Sequence, residues 1–276
     1  MYMSIEKQFI TIKSGSLINN YWIDLWRHRE LLVFLAWRDI LVRYKQTVLG
    51  VTWVVIRPLL LMLILTAVFG RLAKLPSGDM PYAITVFSGL LPWFFFSSAL
   101  SDCSNSLTTN SHLISKVYFP RMIVPASTIL VSMVDFVISI GILVLLMFWY
   151  EIPPTFSLLL IPVMGVWVGV LAFGLGMWFS TLTVQYRDFR HLIPFVLQLG
   201  IYVSPVAYIS SVIPIKWGYL YYLNPMAGVI DSFRWAILGT YPSVYGIIVS
   251  LVLTVVLLVT GVVFFRAKEA LFADDI

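Results

Sequence analysis

Six apolar stretches, each long enough to cross a bilayer, occupy most of this chain from residue 48 onward, and almost no charge interrupts them. A hydrocarbon core about 30 Å thick takes roughly 20 apolar helical residues to cross. The stretches lie at 48–70, 82–101, 121–148, 157–184, 192–213 and 244–265. Composition agrees: 60% of the 276 residues are hydrophobic and 11% are charged, against about 25% charge in soluble domains. The expected fold is an all-α integral membrane protein with six transmembrane helices. An N-terminal segment, 1–46, and a short tail, 269–276, would flank a transmembrane domain at 47–268. The first 20 residues are mixed polar, so no signal peptide is expected.

Six crossings place both termini on one side, and Lys and Arg choose the side. Thirteen of the 18 basic residues fall before the first span, at 102–121, at 185–191 or in the tail; Arg71, Lys74, Lys216 and Arg234 fall opposite. Both termini are therefore expected in the cytoplasm. The net charge of +5 reads as a topology signal rather than as a nucleic-acid footprint.

Two segments are neither spans nor loops. At 22–45, Val33, Ala36, Trp37, Ile40, Leu41 and Tyr44 recur at helical spacing, with Arg27, Arg38, Asp39, Arg43 and Lys45 opposite. That pattern predicts an amphipathic helix in the cytoplasmic headgroups, in contact with membrane lipids. The stretch 214–243 is too polar to span and too apolar for a free loop. Irregular backbone at membrane depth survives only against protein or water, so short re-entrant outer helices are expected there, broken at Asn224-Pro225.

Several chemistries are absent. There is no G-x-x-x-x-G-K-[ST] loop and no H-E-x-x-H, and the chain has a single cysteine, Cys103. No catalytic residue, metal site or cofactor site is expected. Asp135 is the one carboxylate read as deep in a span, which disfavours an ion-coupled transporter. Any energy would come from a partner.

Arg57, before Pro58 in the first span, and Asp135 in the third are costly at bilayer depth. They could pair, Arg57 could snorkel to the headgroups, or Arg57 could line a passage. Aromatics punctuate the spans and the outer segment, among them Trp93, Phe94, Tyr202, Tyr208 and Tyr222. Most such rings are packing or interfacial anchors. A passage lined by them would also suit a glycan, whose flat C–H faces stack weakly and repeatedly on rings while its hydroxyls stay hydrogen-bonded. The fourth span carries Gly165, Gly169, Gly174 and Gly176, small residues that allow close helix contact within or between chains.

Five segments in order resemble a known family: "RDILVRYKQTVLGVTWVVIRPLLLMLILTAVFG" (38–70), "GLLPWFFFSSAL" (89–100), "NSHLISKVYFPRMIVP" (110–125), "VQYRDFRHLIPFVLQLGIYVSPVAY" (184–208) and "LNPMAGVIDSFRWAILG" (223–239). They are similar to the membrane-spanning subunits of ATP-binding-cassette exporters for bacterial surface polysaccharides, most of all the O-antigen type. The resemblance implies a homodimeric pore in the bacterial inner membrane and two separate ATPase subunits that hold the ATP and Mg. The cargo would be an undecaprenyl-pyrophosphate-linked polysaccharide, with capsule, teichoic acid, lipid or drug as alternative cargoes. It further implies a contact with the ATPase around Asn105, Leu107, Asn110, His112 and Lys116, and an outer gate at 214–243. Trp93, Phe94, Tyr202, Tyr208, Tyr222 and Arg57 become the candidate pore residues. Arg38 and Arg43 become candidates for receiving the pyrophosphate at the cytoplasmic entrance. A membrane enzyme acting on lipid-linked sugar is the rival from another class.

Overall fold

A computed structural model describes residues 21–45, 50–76 and 80–272, without the side chains of Gly50, Val51 and Ile215. Residues 1–20, the start of the first stretch at 48 and the last four residues of the tail lie outside the described residues. Eleven α-helices are described: α1 (Tyr21–Arg27), α2 (Arg29–Lys45), α3 (Gly50–Leu65), α4 (Tyr82–Thr109), α5 (Ser111–Lys116), α6 (Ile123–Trp149), α7 (Ile161–Gln185), α8 (Phe189–Val203), α9 (Ile215–Tyr221), α10 (Pro225–Leu238) and α11 (Val244–Lys268). No strand occurs among the described residues. Among the described residues five helices are long and apolar enough to cross a membrane: α3 with the π-helical turn Thr66–Leu72 that extends it, α4, α6, α7 with its preceding 3-10 turn, and α11.

The stretch expected as a fifth span, 192–213, is not one long helix. It forms the 15-residue α8, roughly 22 Å long at 1.5 Å per residue. Pro205 forces the residue before it out of helical geometry, and Ser204 is extended (φ −86°, ψ 151°). The chain then runs through a buried turn at Ser204–Ala207.

The hub is α4, buried along most of its length and packed by α6, α7, α10 and α3. Around it a continuous apolar core joins Phe87, Leu90 and Leu91 to Phe136, Leu171 and Phe233. A second core at the other end of the bundle joins Tyr21, Leu35, Leu107, Ile114, Phe119, Phe265 and Phe272. It gathers α1, α2, α5 and the chain's last described residue onto one platform.

The glycines of α7 serve packing within the chain. Gly165 lies against Phe136, Gly176 against Cys103, and Gly174 against the α11 backbone. A methyl group at Gly174 would stand 2.7 Å from the Leu258 amide nitrogen, closer than van der Waals contact allows. We expect Gly174→Ala to push α7 and α11 apart and to cost about 1–2 kcal/mol. An unchanged unfolding midpoint for that variant in detergent would refute the close approach.

The polar side of α2 packs on the bundle, and much of its apolar side is left exposed. Leu35 and Ala36 are buried against α6, and Arg38, Asp39 and Arg43 are half-buried on the protein side, whereas Val33, Phe34, Trp37 and Leu41 are exposed. The reason is local charge: carboxylates on α4 and α6 receive the arginine, so the apolar residues are left facing outward.

Candidate functional site

An open groove of about 950 Å³ runs between α3, α4 and α8. Its floor is a ridge of α4. Trp93, Ser97 and Ser101 recur every fourth residue, so they stack along one helix face. Phe94, Ser98 and Asp102 follow the same spacing one step round. Gln198 and Tyr202 face them from α8, and Trp53 and Arg57 from α3. Gly200 makes room for this arrangement, because a side chain there would collide with the Trp93 indole. The α4 wall therefore presents two aromatic faces, Trp93 and Phe94, followed by serine hydroxyls over the next two turns.

Arg57 is the exposed cation of this groove. Its Cζ lies 5.5 Å from the Phe94 ring centroid, close enough for a cation–π attraction. Among the described residues it makes no ion pair. The expected alternative, a pair between Arg57 and Asp135, does not form. A second cavity of about 360 Å³ shares Trp53, Arg57, Phe94 and Ser98 with the groove and extends it to Asp135 and Arg43.

Asp135 instead binds Arg43. The Arg43 guanidinium donates to Asp135 Oδ2 at 2.6 Å and to Asp102 Oδ2 at 2.5 Å, and the Tyr44 hydroxyl donates to Asp135 Oδ1. Burial works against the Arg43 charge, yet the two carboxylates more than offset it, and its pKa is raised. Arg38 donates to Asp39 and, at 2.8 Å, to Asn110 Oδ1. Both arginines proposed for a pyrophosphate are thus engaged with side chains of this chain. Two further carboxylates are withdrawn from solvent, Asp231 on α10, which is buried, and Asp102 on α4, which is half-buried.

Tyr208 and Tyr222 belong to a separate cluster at the far end of α4. The Tyr222 hydroxyl donates to Asp231 Oδ2 at 3.0 Å, and Ser210 donates to Oδ1 at 2.6 Å. Arg234, buried on the same helix, donates to the backbone oxygens of Val206 (3.0 Å) and Tyr208 (2.7 Å). It thereby fastens the turn after α8 to α10. Asn224 caps α10 through the Met226 amide, and Gly239 ends it at φ +72°, a geometry that favours glycine. In the sequence Arg234 is legible only as a topology marker.

At the opposite end, the residues expected to contact a motor divide. His112 and Lys116 are exposed on α5, together with Tyr118 beyond it. Leu107 is fully buried, Asn105 bonds the Ser101 carbonyl, and Asn110 is held by Arg38. A clamp fixes this end. Glu269 accepts from the Tyr21 hydroxyl (3.1 Å) and the Arg121 amide (2.9 Å), and Arg266 lies 3.6 Å from the Tyr21 ring centroid. Burial, together with the facing Glu269 carboxylate, pushes the Tyr21 hydroxyl pKa well above the ordinary tyrosine range.

Four of the candidate pore residues, Arg57, Trp93, Phe94 and Tyr202, therefore share one groove, while Tyr208 and Tyr222 do not. Residues 30–238, most of the chain, match the family described as ABC-2 type transporter. The chain belongs to the ABC-2 type transporter family. It is 31% identical over 206 residues to an O-antigen export system permease protein RfbA of Klebsiella pneumoniae, covering 74% of this chain and 79% of the relative. It is 27% identical over 257 residues to RfbA of Myxococcus xanthus, covering 92% and 98%. The polysialic acid transport protein KpsM of Escherichia coli is 25% identical over 243 residues, covering 84% and 91%. Family membership and the long apolar helices make this a multi-pass membrane protein of a transport family.

Proposed function

We propose that this chain is the conduit subunit of an ATP-driven exporter that moves a lipid-linked O-antigen or related surface polysaccharide from the cytoplasm across the inner membrane. The observation that carries the reading is the groove, in which the Trp93 and Phe94 rings give way to serine hydroxyls along α4 beside one exposed guanidinium. Sugar rings stack on the faces, hydroxyls exchange hydrogen bonds along the serines, and no single contact is strong enough to arrest a sliding chain.

The groove is open on one side, and a second copy of the chain would close it into a passage. The exposed apolar flank of α3, with Leu60, Leu63 and Ile64, suits such a contact or lipid. In this reading both termini are cytoplasmic, α8 and the turn after it make the fifth crossing, and α9 and α10 re-enter from outside. Arg57 receives the pyrophosphate of an undecaprenyl carrier, while Arg38 and Arg43 hold α2 in place. Two nucleotide-binding subunits supply ATP, Mg and hydrolysis, and they dock against α5.

The test is reconstitution of the chain with its ATPase in proteoliposomes. A lipid-linked glycan should stimulate hydrolysis, and glycan should accumulate on the far side. A complex stimulated equally by unrelated lipids would reassign the cargo. Within the same assay we expect Lys116→Glu on exposed α5 to weaken ATPase association about tenfold, or ~1.4 kcal/mol. Undiminished association with both His112→Ala and Lys116→Glu would remove α5 from the docking surface.

A further inference from the structure

The outer cluster encloses a cavity of about 410 Å³ that the groove does not include. We infer that it is a subsite for a single neutral, polyhydroxylated sugar ring, through which the glycan passes on its way out. The inference rests on the polysaccharide reading above and names where one sugar would be recognised.

The lining carries the argument. Asp231, Ser210 and Tyr222 form a hydrogen-bonded group in which both carboxylate oxygens are already engaged, leaving hydroxyl oxygens with lone pairs to spare. Arg234 lines the same cavity, and its buried Nε has no hydrogen-bond partner among the described residues. One carboxylate and one guanidinium balance each other. A phosphate would meet the Asp231 charge and a metal ion the Arg234 charge, so neither suits the site. An uncharged ring with several hydroxyls meets no such opposition, and it can replace the water that a polar cavity holds. Tyr241, 96% exposed, stands at the rim and offers a flat face to a sugar's C–H surface.

Position agrees with chemistry. Thr85 of α4 lines the cavity, and Thr85, Gly89, Trp93, Ser97 and Ser101 follow one another at four-residue spacing. Thr85 stands roughly 12 Å beyond Trp93 along α4, on the far side of the buried Gly89. Gly89, between them, packs on Val206 and the Arg234 guanidinium; a methyl group there would lie 3.2 Å from Nη2. A buttress alone would need the Arg234 and Asp231 bonds but no cavity beside them.

Saturation-transfer NMR on the full chain in nanodiscs tests the site, with methyl mannoside, methyl galactoside and N-acetylglucosamine as probes and inorganic phosphate as the charged comparison. At least one sugar should receive transfer, phosphate should not compete, and Tyr241→Ala and Thr85→Val should each reduce the signal severalfold. Tyr241→Ala lies at the surface, so it keeps the test alive if Thr85→Val unfolds. Absence of transfer to every sugar would overturn the inference, as would transfer unchanged by both variants or abolished only by Trp93→Ala in the groove. Failure here with intact glycan-stimulated ATP hydrolysis rejects the subsite alone; loss of that stimulation in the wild-type complex rejects the parent reading.

Discussion

Arg43→Met will destabilise the folded chain by about 3 kcal/mol, the largest loss expected from any single change outside the apolar cores. The substitution removes one guanidinium and leaves two carboxylates, Asp102 and Asp135, facing one another without a counter-ion. Breaking a fully buried pair costs about 3–5 kcal/mol. Here the side chains of Arg43, Asp102 and Asp135 are 30%, 34% and 19% exposed, and water screens part of the penalty. Asp102→Asn should cost less, because Arg43 keeps Asp135 and Asp135 keeps Tyr44. The triple variant Arg43→Met, Asp102→Asn, Asp135→Asn should recover part of the loss, since no charge is then stranded. Cys103 gives the measurement: it is the single cysteine and is fully buried, so a thiol-reactive dye reports thermal unfolding in detergent. If Arg43→Met and the wild type label at the same temperature, the node contributes nothing to the fold.

The node also marks what a sequence can disclose. Apolar runs such as those that become α4, α6, α7 and α11 needed no partner to be recognised, because lipid demands an apolar helix wherever it is crossed. The stretch at 192–213 reads as one run because it is largely apolar, and only the local effect of Pro205 divides α8 from the turn that follows. Charge was harder to read. The basic stripe of α2 looked like a headgroup-facing surface because the carboxylates that receive Arg43 lie 59 and 92 residues away. Asp102 sat one position beyond the expected end of its span, so its pairing gave no local sign. Asp231 and Arg234, in the broken outer segment, acquire their roles only when Ser210, Tyr222 and the Val206 and Tyr208 carbonyls close on them. The groove was half-legible. Trp93, Phe94, Arg57 and Tyr202 are legible from residue type, whereas the serines beside them gain meaning only where α3 and α8 close a groove over them.

Arg57 provides the second large effect, on transport rather than on stability. Among the described residues it has no ion pair to lose, only the Phe94 ring, so Arg57→Leu should accumulate and unfold as the wild type does. A guanidinium can meet a pyrophosphate with two parallel charge-assisted hydrogen bonds. Hydrogen bonds to charged groups are worth about 1.5–3 kcal/mol each. In an open, wet groove water screens the contact, so about 1.4 kcal/mol for the two bonds together is expected, a fall in export of about tenfold for Arg57→Leu. Arg57→Lys keeps the charge but loses the planar fork, so it should recover activity only in part. Phe94→Leu separates the two roles of the side chain: it frees the guanidinium from the ring while leaving its charge in the groove, and its effect should be smaller than that of Arg57→Leu. Export from proteoliposomes, normalised to the amount of folded chain, resolves the three variants. Equal rates for Arg57→Leu and the wild type at equal abundance would leave the guanidinium no part in receiving the carrier, and the groove would then act through its rings and hydroxyls alone.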